Sequence, residues 1–433
     1  MTDVFDEIAT MLRSRTSVVG RPVGRSTLGA RMDALHVPAV SVAALHDGEV
    51  TARAWGAEPS TLFQAASISK PVAAVGVMRL VSDGVLELDA KVNALLTSWQ
   101  LPGGDEVTVR HLLCHAGALT VHGFPGYTRG VDTIPTTVQI LDGVPPANTD
   151  PVRVDGTPGE AFRYSGGGST VLQLLVSDVT GEPFADVMRR CILDPLELAS
   201  STYEQPLPDD LHALAAHGHH QDGAEIQGSW RIHPEQFAAG LWTTPSALVR
   251  IAGEMISPGV VFDQAARDEM LTPQVDANRG LGWMLEDGWF QHGGSNIGFR
   301  CQLYASVEQR CAIAVMTNGD SGGAIGMELI SAAAESFGWT GFLKERTAVD
   351  IDDATVDSLV GAYEIQPGFD LQMRRDGDRT LASIPAVLEE TELFAAPTGE
   401  FFITTMDTTL VVAEDGVELE LGPGTKLTAK RKV

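Results

Sequence analysis

Lysine is scarce in this chain, and one of the few stands where a charged side chain is costly to keep. Among 30 basic residues only Lys70, Lys91, Lys344, Lys426, Lys430 and Lys432 are lysines. Lys70 heads the run Pro71-Val72-Ala73-Ala74-Val75-Gly76-Val77-Met78, which is nearly all apolar. The pattern predicts a buried helix from about Ser67, ending near Gly84 as its C-cap. Arginine could not replace this lysine if a proton must leave. A desolvated ammonium can be pushed toward neutrality, whereas a guanidinium stays charged. Ser67 lies three residues before Lys70, so the two share a helix face. A hydroxyl beside an amine able to shed its proton is an activated nucleophile.

A chain of 433 residues can bury a large core and suggests two or three domains. The net charge of -27 argues against nucleic acid and against an anionic membrane surface as partners. The acidity is read as solubility. No uninterrupted apolar run approaches membrane-spanning length. Met1–Glu7 is acidic and reads as a surface helix, without the basic-then-apolar order of a signal peptide. The expectation is a soluble cytoplasmic protein. Cys114, Cys191, Cys301 and Cys311 are far apart with no C-x-x-C pair. Cys301 and Cys311 could face each other in a hairpin, but reduced buried thiols are the expected state. His217, His219 and His220 fall in a polar loop without a helical His-x-x-x-His partner, so no metal and no cofactor is expected.

Hydrophobic alternation predicts strands at Ala39–Leu45 and Glu49–Trp55, with His46-Asp47-Gly48 as the turn and Asp-Gly as its hairpin signal. Later strands are expected at Leu281–Leu285, Trp289–His292, Arg300–Ser306 and Cys311–Thr317, with a helix at Ala324–Phe337. Another helix is expected over Ser169–Thr180, with Ser169 as N-cap. Early and late strands enclosing a helical region imply an α/β (α+β) domain with an antiparallel sheet covered by helices. Beyond Glu345 short strand-like runs alternate with turns: Gly361–Ile365, Leu371–Arg375, Thr380–Ile384, Glu400–Thr405, Thr409–Ala413 and Val417–Leu421. Their spacing predicts a small all-β barrel or sandwich. The expected division is a first domain over 1–345, an acidic linker over 346–357 and a β domain over 358–433. Lys426, Lys430, Arg431 and Lys432 make a basic tail, read as a solvated end.

Two further segments carry chemistry. In Tyr164-Ser165-Gly166-Gly167-Gly168 the glycines let backbone approach another group closely, and the Tyr164 hydroxyl can shuttle a proton. In His292-Gly293-Gly294-Ser295-Asn296, on a strand edge, the glycines would let an extended substrate lie against the strand. Asn296 and the nearby Arg300 are further candidates for contact with it. The order Ser-x-x-Lys, Tyr-Ser-Gly, His-Gly-Gly resembles that of the penicillin-recognising serine hydrolases. These comprise class C β-lactamases, DD-peptidases, D-aminopeptidases and related esterases. His111-Leu112-Leu113-Cys114-His115-Ala116-Gly117, Gly240–Pro245 and Gly280–Trp283 are similar to other segments of that family. The resemblance spans roughly residues 20 to 340.

The resemblance implies that Ser67 is the acylated nucleophile and that Lys70 and Tyr164 share the acid–base work. It places the oxyanion hole at the amides of Ser67 and Ser295. His292 takes the position of a strand lysine, to orient Tyr164 or to hydrogen-bond a substrate carboxylate. Gly166 stands where β-lactamases carry asparagine, which weakens the case for β-lactam hydrolysis. The C-terminal region resembles the lipocalin-like domain of some intracellular D-peptidases and stand-alone nonribosomal peptide cyclases. The implied activity is a serine acyl-enzyme hydrolase acting on amides or esters of small peptides with D-residues near the cleaved bond. A peptide cyclase, in which the substrate's own amine displaces Ser67, is the alternative. A small peptide or peptidyl (thio)ester is the implied partner. A non-catalytic binding protein would be expected to lack Ser67, Lys70 or Tyr164, and all three are present.

Overall fold

Asp47 and Gly48 both take positive φ, +51° and +82°, as a two-residue hairpin turn requires. They join β1 (Val40–His46) to β2 (Glu49–Trp55), close to the bounds read from the sequence. The computed structural model describes residues 4–366, 369–385, 388–405, 408–413, 415–421 and 426–432. The hairpin belongs to a six-stranded antiparallel sheet with β3 (Met284–Glu286), β4 (Trp289–Asn296), β5 (Phe299–Ser306) and β6 (Cys311–Thr317). The strand order is β2-β1-β6-β5-β4-β3, so the chain leaves the sheet after β2 and returns at its far edge. Strand β6 is buried throughout and reads as an unbroken apolar run. The expected strand over Leu281–Leu285 starts only at Met284, because Gly282 turns the chain at φ +79°.

Between β2 and β3 lies the helical region. Helix α1 (Ser69–Ser82) is buried on all sides from Ser69 to Met78, as an apolar helix inside a large core should be. Helix α2 spans Gly166–Thr180. It begins three residues earlier than expected, because the Ser165 hydroxyl caps it by accepting the Gly168 N–H at 2.9 Å. Helix α3 (Pro245–Ile256) packs on β1 and β6. Thr244 is its N-cap and Pro245 its first residue, where a missing N–H does no harm.

Backbone contacts divide the chain into two compact units, Leu35–Gly326 and Met1–Ala34 with Met327–Val433. This grouping differs from the linear division at 345 because Thr16–Val18 pairs in parallel with Lys344–Arg346. The acidic N-terminal helix is present over Val4–Ile8, with Phe5 and Ile8 buried. Residues 346–357, expected as a linker, include most of the helix Asp353–Leu359. The acidic cluster there is a helix start: the Asp352 carboxylate accepts the Thr355 N–H at 2.9 Å.

The second unit holds a closed antiparallel barrel of eight strands: Gly361–Gln366, Phe369–Asp376, Arg379–Ile384, Leu388–Ala395, Phe401–Ile403, Thr408–Ala413, Gly416–Leu421 and Lys426–Arg431. Two of these were not expected. Leu388–Ala395 carries three glutamates, and the final strand was read as a solvated end. In fact Tyr363 pairs with Arg431, and Leu419 with Leu427, so the basic tail closes the ring. Leu427 and Ala429 turn inward, and Lys432 is paired to Asp370 at 2.6 Å. The side chain of Lys426 lies outside the described residues. All four cysteines are free and buried. The β5–β6 register sets Cys301 opposite Met316, so Cys301 and Cys311 do not face each other. Among the described residues no helix is long and apolar enough to cross a membrane.

Candidate active site

The nucleophile candidate sits on a turn held from three sides. Phe63–Gln64 pairs with Trp242–Thr243, and the Ala65 N–H donates to the Leu241 carbonyl at 2.9 Å. Ala66 then takes φ +49°, a conformation that a residue with a Cβ adopts only when its surroundings impose it. A single 3-10 turn, Ala66–Ile68, leads into α1. The Ser69 hydroxyl donates to the Ala66 carbonyl at 2.5 Å and accepts the Leu241 N–H at 3.0 Å. The buried Tyr203 hydroxyl donates to the Ser69 carbonyl at 2.6 Å. Every residue from Leu62 to Met78 is buried except Ser67, which is half-exposed.

Lys70 is 4% exposed, and its Nζ donates to the Ala238 carbonyl at 2.7 Å and lies 3.1 Å from Ser67 Oγ. That is within range for direct proton transfer. The same Nζ stands 5.0 Å from the centroid of the Tyr164 ring. Tyr164 is flanked by two imidazoles, His115 at 4.5 Å and His292 at 6.4 Å between ring centroids. Their tautomers follow from their partners. His292 Nδ1 lies 2.6 Å from the Gly293 carbonyl, which can only accept, so Nδ1 carries the proton. His115 Nδ1 accepts the Ser165 N–H at 3.3 Å, so its proton is on Nε2. Burial, and then the charge of Lys70, pushes His292 down to about 3. The same two causes hold His115 well below the ordinary histidine value. Both rings are therefore held in the neutral form.

Strand β4 runs beside the Ala66–Ile68 turn because Gly294 has no side chain. A Cβ there would fall 2.3 Å from the Ala65 carbonyl oxygen and 2.4 Å from Cys301 Sγ. The Cys301 thiol in turn donates to the Ala65 carbonyl at 2.9 Å. Gly293 and Ser295 alternate to the exposed side of the strand, and a Cβ at Gly293 would meet no atom closer than 3.9 Å. Two expected contact residues are engaged internally instead. The Asn296 carboxamide donates to Gln64 Oε1 at 2.8 Å and faces the Ala239 carbonyl at 3.4 Å. Arg300 pairs with Asp320 at 3.0 Å and donates to the Asn296 and Phe299 carbonyls. At Gly166 an added Cβ would meet the Phe124 ring at 2.9 Å and the His122 carbonyl at 3.1 Å, so this position has no room for a carboxamide.

Four residues near this site escaped the sequence reading as functional candidates: His115, Ala238, His233 and Glu235. His115 lay in plain view in the His111–Gly117 segment, and its left-handed φ of +57° just before Ala116-Gly117 marks a tight turn. His233 and Glu235 are buried, and neither ring nitrogen nor either carboxyl oxygen has a hydrogen-bond partner. Burial, and then the charge of Lys70, pushes His233 down to about 3, while burial raises Glu235 to about 8. The surface histidines are engaged singly: His217 with Glu225 at 3.0 Å, His219 with the Asn318 carbonyl, His220 with Asp320. Among the described residues no group of three or more His, Cys, Asp or Glu is placed to hold a metal.

Comparison with known proteins bears on the family and the fold. The β-lactamase family model matches residues 25–335. Penicillin-binding protein 4* of Bacillus subtilis (strain 168) is 24% identical over 376 residues, covering 79% of this chain and 81% of that protein. The structure of SurE with D-Leu superposes with a TM-score of 0.56 at 20% identity, over 94% of this chain and 97% of that one. D-amino acid amidase from Ochrobactrum anthropi SV3, complexed with L-phenylalanine, gives a TM-score of 0.59 at 22% identity, over 71% and 95%. At these identities the superpositions speak for the fold.

Proposed function

The chain belongs to the β-lactamase family, and from that premise we propose that it is a serine acyl-enzyme hydrolase acting on amide or ester bonds of small peptides. We propose a D-residue at the reacting carbonyl. The observation that carries this reading is the half-exposed Ser67 hydroxyl, 3.1 Å from a buried lysine amine. Ser67 Oγ attacks the acyl carbon and its proton passes to the Lys70–Tyr164 pair. The amides of Ser67 and Ser295 receive the oxyanion as charge develops. Tyr164, beside Lys70, returns a proton to the departing amine or alcohol, and the C–N or C–O bond breaks. Water then attacks the ester on Ser67, with proton flow reversed, to release the acid. Both histidines beside Tyr164 are held neutral, so they flank its ring and add no charge to it.

The test is labelling of Ser67 by a fluorophosphonate, read by peptide mass, together with hydrolysis of peptide amides and peptidyl thioesters in both stereochemical series. Wild type is expected to give an adduct on the peptide containing Ser67 and a linear acid product. Lys70→Arg keeps the charge but removes a group that can titrate, and acylation is expected to fall by about three orders of magnitude with the fold intact. Near-normal turnover in that variant refutes the assignment. A macrocycle as the product overturns hydrolysis in favour of attack by the substrate's own amine.

A further inference from the structure

We propose that the leaving-group side of this cleft selects an uncharged group, an amide, ester or thioester without a free carboxylate, because His292 presents it only a lone pair. This rests on the acyl-enzyme reading of Ser67. His292 stands three residues before Ser295 on β4, and Tyr164, the group assigned to protonate the leaving atom, is the ring next to it. A leaving group that takes its proton from Tyr164 is therefore a neighbour of the His292 imidazole.

The proton of that imidazole is already committed. Nδ1–H points at the Gly293 carbonyl, so in the neutral ring Nε2 is the acceptor. A second proton would make a cation 4% exposed and close to Lys70, and burial together with that charge opposes it. Nε2 accepts a hydrogen bond from an amide N–H, or from the Tyr164 hydroxyl. A carboxylate oxygen is also only an acceptor, so the two repel, and the carboxylate loses its water for nothing in return.

The neighbouring cations of the Leu35–Gly326 unit are held elsewhere. Lys70 is bound to Ser67 and the Ala238 carbonyl. Arg279 is 6% exposed, with its guanidinium 4.0 Å over the Phe162 ring and its NH1 donating to the Asn278 carbonyl. Arg300 is paired with Asp320.

The experiment uses the full chain and two peptides that share one scissile bond, acetyl-D-Phe-glycinamide and acetyl-D-Phe-glycine, with their L counterparts. Preference is read as kcat/KM and, independently, as protection of Ser67 from the fluorophosphonate. The carboxamide is expected to be favoured by about tenfold or more, the scale of one unmatched buried polar group. The ratio should stay flat from pH 6.5 to 5.5, where neither His292, lowered to about 3, nor Glu235, raised to about 8, changes its charge. His292→Lys should shift it toward the carboxylate by about tenfold or more. Enzyme that labels at Ser67 but treats the two peptides alike, or favours the carboxylate, overturns the proposal. So does a ratio that moves toward the carboxylate as the pH falls. Absence of any Ser67 adduct overturns the acyl-enzyme reading itself, and this proposal with it.

Discussion

Polar groups around Ser67 and polar groups on the barrel live under opposite conditions. Near Ser67 they are buried and placed one at a time: Lys70, His292, His233 and Glu235. On the barrel they are exposed and come in pairs, as with Arg374 and Glu390, whose side chains are 52% and 45% exposed at 2.6 Å. The pairs near the barrel strands also include Arg375 with Asp353 and Arg379 with Asp376. Water screens such pairs, and each contributes little. Away from water His292, His233 and Glu235 have protonation shifted by burial, and the Gly293 carbonyl fixes the tautomer of His292. The exposed charge of the barrel is therefore screened by water, while the few enclosed groups near Ser67 feel one another's charge.

The sharpest way to break this contrast is Gly294→Ala. The added methyl meets backbone at Ala65 and sulfur at Cys301, so β4 and the Ser67 turn must move apart. A displacement near 1 Å at a reacting geometry costs about a hundredfold in rate, and kcat/KM should fall by at least that much. Circular dichroism should show an unchanged fold; full activity would mean that β4 does not set the oxyanion geometry.

Glu235→Gln tests burial through stability. The folded-state value of about 8 lies above the unfolded carboxylate value of about 4.5. Below 4.5 both states hold the proton and the group is silent. Between 4.5 and 8 the unfolded chain releases it and the folded chain does not, so the wild type is progressively destabilised. The glutamine variant should match wild type at pH 4.5 and gain on it at roughly 1.4 kcal/mol per pH unit up to about 8. Urea unfolding at pH 5, 7 and 8.5 reads this directly, and a constant difference would show that Glu235 is ionised inside the fold. At the other extreme, Arg374→Ala should leave the melting temperature within error of wild type at low and high salt. A clear drop would show that the barrel's exposed pairs carry stability after all.

The Ser67–Lys70 pair was legible because it is local: three residues on one helix face, with lysine rare enough elsewhere to stand out. The first hairpin was legible for the same reason, since Asp47-Gly48 announces its own turn. What stayed hidden depends on residues distant in sequence. That Lys70 needs the Ala238 carbonyl, that Gly294 is required by Ala65, and that Asn296 and Arg300 turn to Gln64 and Asp320 are consequences of packing. His115 was visible as part of a motif but not as the ring against Tyr164. In the barrel, three glutamates masked Leu388–Ala395, because neighbouring charged residues such as Glu389 and Glu390, both exposed, break the alternation by which a strand is recognised. The basic tail was masked in the same way.

That last strand has a consequence for handling the protein. Lys426–Arg431 is hydrogen-bonded along both flanks, to Gly361–Gln366 and to Gly416–Leu421. Clipping it would uncover two rows of unpaired backbone at once, facing each other across the gap, and would turn a ring with no free border into a sheet able to recruit its neighbours.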